Sequence, residues 1–490
     1  MKTLSFTVRI LILSVLLVTG VSFLSAQNKI EFKFRKDHTF KVAQFTDLHW
    51  DNNSPNCPKT IETIQFVLDA EHPDLVVLTG DIVTAPPAKE GWLSIAKIFE
   101  DAKMPWALTL GNHDAEPNIE RDQIFQILQD QPYFVGIKGV AQTGCGNYVL
   151  PMWDSDGKSV ASVIYCIDSN AYPKERNIGY YDWIRFDQID WYRKTSDSFT
   201  LVNHNFPLPA IAFFHIPLIE FNSIVGKEST LGTKNESVSS SEMNSGLFAS
   251  MVEKKDVMGI FVGHDHDNNY IGIDHDICMA FGQVTGADAY GTLERGSRII
   301  EMHEGEFSFN SWIRTKSGTQ FHYNYPSGLS SDTSTIKYSQ AKQVSKLKQG
   351  ISYNYFEKRF QSTNEISMAK TVKSGILSNI TIANAAVKDS FAYEFHGWIK
   401  IPKKTVYRFY TYSDDGSTLF IDGNKVVDND GSHSAKRADG KMALDEGYHE
   451  FRLLYFQDYM GRVLEVGFSS IGIRECPIPD NFLFTSTSKN

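Results

Sequence analysis

The feature that most restricts the fold of this chain is an apolar run followed directly by a polar cluster, repeated five times. Lys41 to Thr46 reads as a short strand and leads into Asp47-Leu48-His49. Leu75 to Thr79 is a buried-strand run ending at Gly80-Asp81, and Trp106 to Leu110 leads to Gly111-Asn112-His113-Asp114. Ala212 to His215 ends in His215-Ile216-Pro217, and Val257 to Val262 ends in Gly263-His264-Asp265-His266. Thr60 to Ala70, Trp92 to Phe99 and Glu242 to Lys254 carry apolar residues at helical spacing, and Ala161 to Ile167 is a further strand. Strands alternating with helices over residues 41 to 315 specify an α/β domain, and the ligand sites of such sheets lie at the carboxyl ends of the strands.

Residues 316 to 345 change character, becoming rich in Ser, Thr, Lys and Tyr, and read as a linker. From residue 346 to 490 the texture alternates and is aromatic, as in Val406 to Tyr412 and Phe451 to Phe456. Turn signals such as Asp415-Gly416 and Asp422-Gly423 separate the runs, so a second, all-β sandwich domain is expected. With 490 residues, 42% of them hydrophobic, the chain can bury more than one core.

Lys2 and Arg9 precede an apolar run from Ile10 to Leu24, which closes on the small residues Ser25 and Ala26. Residues 1 to 26 have the form of a cleaved signal peptide, because the run falls short of the roughly 20 residues a bilayer-crossing helix needs. No later segment is apolar enough to span, so the expectation is an exported protein, periplasmic or extracellular at the cell surface. The net charge of -10 becomes more negative when Lys2 and Arg9 are removed, which argues against nucleic acid as a structural partner. The five cysteines, Cys57, Cys145, Cys166, Cys278 and Cys476, are widely spaced and indicate neither a zinc ribbon nor a dense disulfide framework. One disulfide fits an oxidising compartment, without a pairing being specified.

Any one polar cluster has an ordinary explanation, since Asp and Asn after a strand cap helices or form Asx turns. Jointly they do not, because five of the 14 histidines fall inside these clusters, in order, among carboxylates and an amide. Imidazole nitrogen and carboxylate oxygen together suit borderline first-row ions better than Mg²⁺ or Ca²⁺. The donors exceed the needs of one ion. Two ions roughly 3.5 to 4 Å apart can bind a phosphoryl oxygen and activate a hydroxide for in-line attack.

The ordered set Asp47-x-His49, Gly80-Asp81, Gly111-Asn112-His113-Asp114, His215 and Gly263-His264-Asp265-His266 resembles the calcineurin-like metallophosphoesterase superfamily, which includes the purple acid phosphatases. The resemblance implies a β-sandwich flanked by helices (αββα) over residues 27 to 315 and two metal ions of the Fe, Mn or Zn kind. It implies that Asp47, His49 and His266 hold one ion, that Asn112, His215 and His264 hold the other, and that Asp81 bridges them. By the same carry-over, His113 protonates the leaving oxygen and Asp114 orients it. Thr84 stands where purple acid phosphatases have a tyrosine ligand, so the chain looks closest to a tyrosine-lacking branch that includes yeast dosage-suppressor phosphatases, and a ferric tyrosinate is not expected. His204, Asn205, Tyr290 and Arg295 are further candidates for lining the pocket, with ordinary loop polarity as the competing reading of each.

Tyr410 to Gly423, with Leu444 to His449, resembles the anthrax protective-antigen-type domain. Some members of that family bind sugars through calcium held by paired aspartates, a place taken here by Asp414 and Asp415; the competing reading makes them a hairpin turn. The expected activity is hydrolysis of a phosphate monoester, including esters linked to glycans. The alternatives are a phosphodiesterase or nucleotidase, and a carbohydrate-binding adhesion protein with an inactive catalytic domain.

Overall fold

The computed structural model describes residues 30–139, 143–175, 177–334 and 336–486. The expected signal peptide, residues 1 to 26, lies outside the described residues. The chain forms two compact units that divide between Pro326 and Ser327. Among the described residues, no helix is long and apolar enough to cross a membrane.

The first unit contains strands β1 (Phe32–Lys33), β2 (Thr39–Phe45), β3 (Leu75–Thr79), β4 (Trp106–Thr109), β5 (Tyr148–Trp153), β6 (Val160–Cys166) and β7 (Ala210–Phe213). They are followed by β8 (Val257–Val262), β9 (Ile271–Asp274), β10 (Ile277–Phe281), β11 (Gly296–His303), β12 (Phe309–Thr315) and β13 (Gly318–Tyr325). One sheet has the order β1-β5-β6-β7-β8-β10-β9, and the other includes β13-β12-β11-β2-β3-β4. The neighbours β2, β3 and β4 are parallel, as are β6, β7, β8 and β10. A shared core fills the space between the sheets, with Phe213 stacked on Phe261 and Phe261 edge-on to Phe309.

Helices cover the outer faces. In α1 (Cys57–Glu71), Thr60, Thr63, Ile64, Val67 and Leu68 are buried, the stripe that a 3.6-residue period produces. Pro58 opens that helix, where its missing N–H removes no bond, and His72 closes it in a left-handed conformation. Trp92, Ile95 and Phe99 of α2 (Ala88–Asp101) and Ile124, Phe125 and Leu128 of α3 (Arg121–Leu128) join the same core. The other sheet packs its outer face against α4 (Phe186–Val202) and α5 (Leu247–Lys254) in a second cluster. The architecture is αββα. Arg298, on β11 and fully buried, ties the sheets together: its guanidinium donates to the carbonyls of Phe281 and Asn269 and to Ser311 Oγ.

One expectation needs correction here. The first part of the expected linker is strand β13, which pairs with β12 from Phe309↔Tyr325 to Thr315↔Gly318 and buries Tyr323 and Tyr325. A register shift opposite Ser311/Ile313 interrupts its alternation, and its first half is largely exposed. None of the five cysteines is disulfide-bonded.

The second unit is a β-sandwich. One sheet runs Leu347–Gln349, Leu483–Ser486, Phe391–Ile401, Gly447–Gln457, Ser417–Ile421 and Asn424–Asn429, with Ile351–Glu357 also paired to Phe391–Ile401. The other runs Lys436–Leu444, Thr405–Asp414, Val463–Ser470 and Ile473–Pro477. Phe395, Phe409, Leu453 and Phe468 meet in the core between them. Asp422-Gly423 joins Ser417–Ile421 to Asn424–Asn429 as a two-residue hairpin with both φ angles positive, 50° and 78°. Asp415-Gly416 is not a hairpin, because Thr405–Asp414 and Ser417–Ile421 belong to different sheets; it is a corner between the layers.

Candidate metal centre

All five polar clusters stand at carboxyl ends of parallel strands, three after β2, β3 and β4 of one sheet and two after β7 and β8 of the other. Face-to-face packing of the sheets therefore brings their side chains together. Asp47, His49, Asp81 and His264 have φ of 53°, 44°, 52° and 81°. This left-handed conformation costs an L-residue about 1 to 2 kcal/mol, and surrounding bonds must hold it. Here the amides of Asp47 and His49 donate to the carbonyls of Gly80 and Asp81 at 3.1 and 3.0 Å, and the His264 amide donates to the Asp47 carboxylate at 3.1 Å. Glycines allow the close approach: a Cβ on Gly80 would stand 2.4 Å from His215 Nδ1, and one on Gly111 2.2 Å from Asp81 Oδ1.

The side chains form two groups, Asp47 with His49 and His266, and Asp81 with His215 and His264. In each group the ligand atoms lie within 4.8 Å of one another. His266 Nε2 is 3.3 Å from Asp47 Oδ1 and 3.2 Å from His49 Nε2. His215 Nε2 is 3.1 Å from Asp81 Oδ2 and 3.2 Å from His264 Nδ1. Asp81 Oδ2 also stands 4.0 Å from His49 Nε2, so one carboxylate faces both groups. Its other oxygen accepts the His113 amide at 2.8 Å.

These residues fit a pair of metal ions. His215 Nδ1 donates to the Thr79 carbonyl at 2.7 Å, which leaves the Nε2 lone pair on the side of Asp81. Asn112 Oδ1 is buried and has no hydrogen-bond partner, a state that costs roughly 1 to 3 kcal/mol unless something else binds that oxygen. The protein groups alone generate strong opposing fields. Burial opposes charging His215, yet Asp81 and Asp47 lift its pKa to about 9. Burial and then His215 push His264 down to about 3. Burial also opposes the ionised form of Asp81, but His215 outweighs it and holds that carboxyl well below its usual range.

His113 is 38% exposed, so a substrate can reach it. Asp114 does not orient it, contrary to the expectation. Asp114 Oδ1 accepts the amides of Ile82 and Val83 at 2.7 and 3.1 Å, and Oδ2 accepts those of Gly111 and Asp81 at 2.7 and 3.0 Å. Four buried N–H groups beneath the ligand loops need an acceptor, and Asp114, fully buried, is that acceptor. Burial and the neighbouring Asp81 raise its pKa to about 6. The partner of His113 is Glu116, whose Oε2 lies 2.7 Å from Nδ1. Glu116 Oε1 accepts from Tyr172 OH at 2.9 Å, and Tyr172 OH accepts from Asn112 Nδ2 at 3.0 Å.

Aromatic rings pack against the histidines. Tyr181 meets His264 edge-on at 4.5 Å and stands beside Tyr172 and Tyr180, while Tyr290 stacks on His266 at 3.8 Å and donates to Glu236. Tyr290, a sequence candidate, is thus at the site. Arg295 is not a pocket cation: it binds the carbonyls of Gly286, Ala289, Tyr290 and Leu293. His204 and Asn205 precede β7, at the end of that strand away from His215. Thr84 continues the backbone from the Trp50↔Val83 bridge, its amide donating to the Trp50 carbonyl. Glu116, Tyr172, Tyr181 and Glu236 escaped the sequence reading because they come from loops with no periodicity or motif.

In the second unit, Asp415 Oδ1 accepts the His433 amide at 2.9 Å and Oδ2 the Asp458 amide at 2.7 Å, tying two loops to the corner. Asp414 lies beside it, and burial and then Asp415 raise its pKa.

The calcineurin-like phosphoesterase family model matches residues 40–268, and a PA14 domain model matches residues 347–481. A dimetal phosphatase from Danio rerio superposes with a TM-score of 0.42 at 11% identity, covering 58% of this chain and 98% of that one. The probable inactive purple acid phosphatase 29 of Arabidopsis thaliana is 30% identical over 322 residues, 59% of this chain and 82% of that protein. Phosphatase DCR2 of Saccharomyces cerevisiae is 29% identical over 329 residues, 59% of this chain and 56% of that protein. The family match and the likeness over most of the Arabidopsis protein's length have one meaning: this chain belongs to the calcineurin-like phosphoesterase family and carries a PA14 domain after the phosphoesterase unit in sequence.

Proposed function

We propose that the protein is an exported phosphomonoesterase with a dinuclear centre of Fe, Mn or Zn. Asp47, His49 and His266 would hold one ion and Asn112, His215 and His264 the other, with Asp81 facing both. The observation that carries the reading is the Asp81 carboxylate, one of whose oxygens, Oδ2, faces both histidine groups. When bound, such ions supply positive charge for the phosphoryl oxygens and acidify a water so that it can act as nucleophile. His113 delivers a proton to the departing ester oxygen, and its exposure at the mouth supports that role. Asp114 keeps the loops after β3 and β4 in register, so that Asp81 and Asn112 present their side chains together. Export is supported by the leader-like pattern of residues 1 to 26. The PA14 unit supports delivery to glycan-bearing substrates, and Asp414 and Asp415 would hold the calcium if that unit binds sugar through it.

Some Arabidopsis relatives are named as inactive phosphatases, which favours a second reading: an adhesion protein with a retired site. One assay separates these readings and the diesterase alternative. With metal supplied, the protein is expected to hydrolyse nitrophenyl phosphate at least about 10-fold faster than bis-nitrophenyl phosphate, and a chelator is expected to abolish both rates. A preference for the diester would make it a phosphodiesterase. No turnover of either ester by metal-replete protein would leave the adhesion reading.

A further inference from the structure

The residue after the histidine in the Gly111-Asn112-His113-Asp114 cluster serves the backbone, which leaves the orientation of His113 to another group. We infer that Glu116 is a positioning residue that sets two members of the centre at once: His113 directly, and the Asn112 amide through Tyr172. The inference rests on the phosphoesterase reading above.

The argument follows from which atoms can donate. The Glu116 carboxylate only accepts, so His113 Nδ1, 2.7 Å from Oε2, carries a hydrogen. That fixes the ring's orientation and leaves Nε2 as the atom that holds or gives up the proton moved in catalysis. The other oxygen of Glu116 accepts the one hydrogen of Tyr172 OH, at 2.9 Å. Toward Asn112 the phenol oxygen can therefore only accept, and the atom 3.0 Å away must be the amide nitrogen. The amide is thereby locked with Nδ2 on Tyr172, and Oδ1 is the buried atom without a protein partner. A carboxylate on the loop after β4 thus selects both the nitrogen that His113 offers to substrate and the oxygen that Asn112 offers to an ion. Glu116 is 47% exposed, and its two oxygens go to these side chains, so the fold does not require it.

The two branches can be cut separately. The test compares wild type, Glu116→Ala, Glu116→Gln and Tyr172→Phe by two measurements. One is the kcat ratio between nitrophenyl phosphate, whose leaving group needs no proton, and phenyl phosphate, whose leaving group does. The other is calorimetric titration of the metal-free protein with Mn²⁺ and with Zn²⁺. At saturating metal, Glu116→Ala is expected to lower phenyl phosphate turnover by roughly 10-fold or more beyond any loss on nitrophenyl phosphate, and in the titration to weaken metal binding. Glu116→Gln, which keeps the size of the side chain, is expected to shift the ester ratio in the same direction. Tyr172→Phe is expected to weaken one of two metal affinities by roughly 10- to 100-fold while leaving the ester ratio unchanged. Equal losses on both esters in the Glu116 variants, or unchanged metal affinity in Tyr172→Phe, would overturn the inference. If wild type turned over neither ester, the phosphoesterase reading and the His113 branch would fall together; the titration of Tyr172→Phe would still decide the Asn112 branch.

Discussion

Asp81 carries more of the centre than any other residue. One oxygen stands 3.1 Å from His215 and 4.0 Å from His49, and the other holds the amide of His113. Asp81→Ala is expected to lower metal content in both positions and abolish hydrolysis; metal content and kcat near wild type would refute the shared-ligand role. Thr84 gives a second expectation at this scale. With no tyrosinate at that position, metal-loaded protein should lack a strong visible charge-transfer band, and its absorption spectrum checks this directly. The position of the seven ligand candidates was legible in the sequence, because each sits within four residues of a strand's end, where the backbone leaves little choice of location. The roles of Asp114 and Glu116 were not legible. Both follow His113 closely, and chain proximity does not say whether a carboxylate turns toward a side chain or back under the loop. The demand of four buried amides decides it for Asp114.

At the scale of elements, strands with a continuous apolar run were readable to within a residue or two, as Leu75–Thr79 and Val257–Val262 illustrate. Strand β13 was not, because a register shift opposite Ser311/Ile313 breaks the two-residue period and only Tyr323 to Tyr325 of Gly318–Tyr325 is buried. In the second unit the Asp422-Gly423 hairpin was legible from its dipeptide, whereas the similar Asp415-Gly416 turned out to change sheets. That hairpin also anchors a titratable cluster. Burial opposes ionisation of Asp422, but hydrogen bonds from His449, Ser339 and the Glu450 amide outweigh it and hold its pKa at about 2, with Lys342 3.6 Å away. His449 is buried; desolvation works to lower its pKa, but Asp422 and the Asp445 carbonyl outweigh this and raise it. The two signs differ. The stabilisation from Asp422 is present above its unfolded value of about 4 and is lost as pH falls from there toward 2. That from His449 is present below about 6.5 and is lost as pH rises through its elevated folded value. The cluster is therefore strongest between about pH 4 and 6.5. Asp422→Asn is expected to destabilise the second unit by about 2 kcal/mol near pH 5, with the gap to wild type closing between pH 4 and pH 2. Thermal unfolding of the full chain across this range measures it; a gap that does not change with pH would contradict the assignment.

At the scale of the whole molecule, two units of different construction lie in one chain. The first is an αββα unit whose paired sheets bring five strand ends to one place. The second is a sandwich whose sequence signature is turns and aromatic alternation. Both classes were legible because helical and strand periodicities differ, and because the composition changes between them. The division at Pro326/Ser327 was blurred because polar residues begin before the last strand of the first unit ends. The central claim is a centre for two ions sharing Asp81. The most direct test is titration of the metal-free, full-length protein with Mn²⁺ or Zn²⁺, followed by elemental analysis of the loaded protein. Two ions per chain in wild type are expected, with marked loss of both in Asp81→Ala. One ion per chain, or none, in correctly folded wild type would contradict the account.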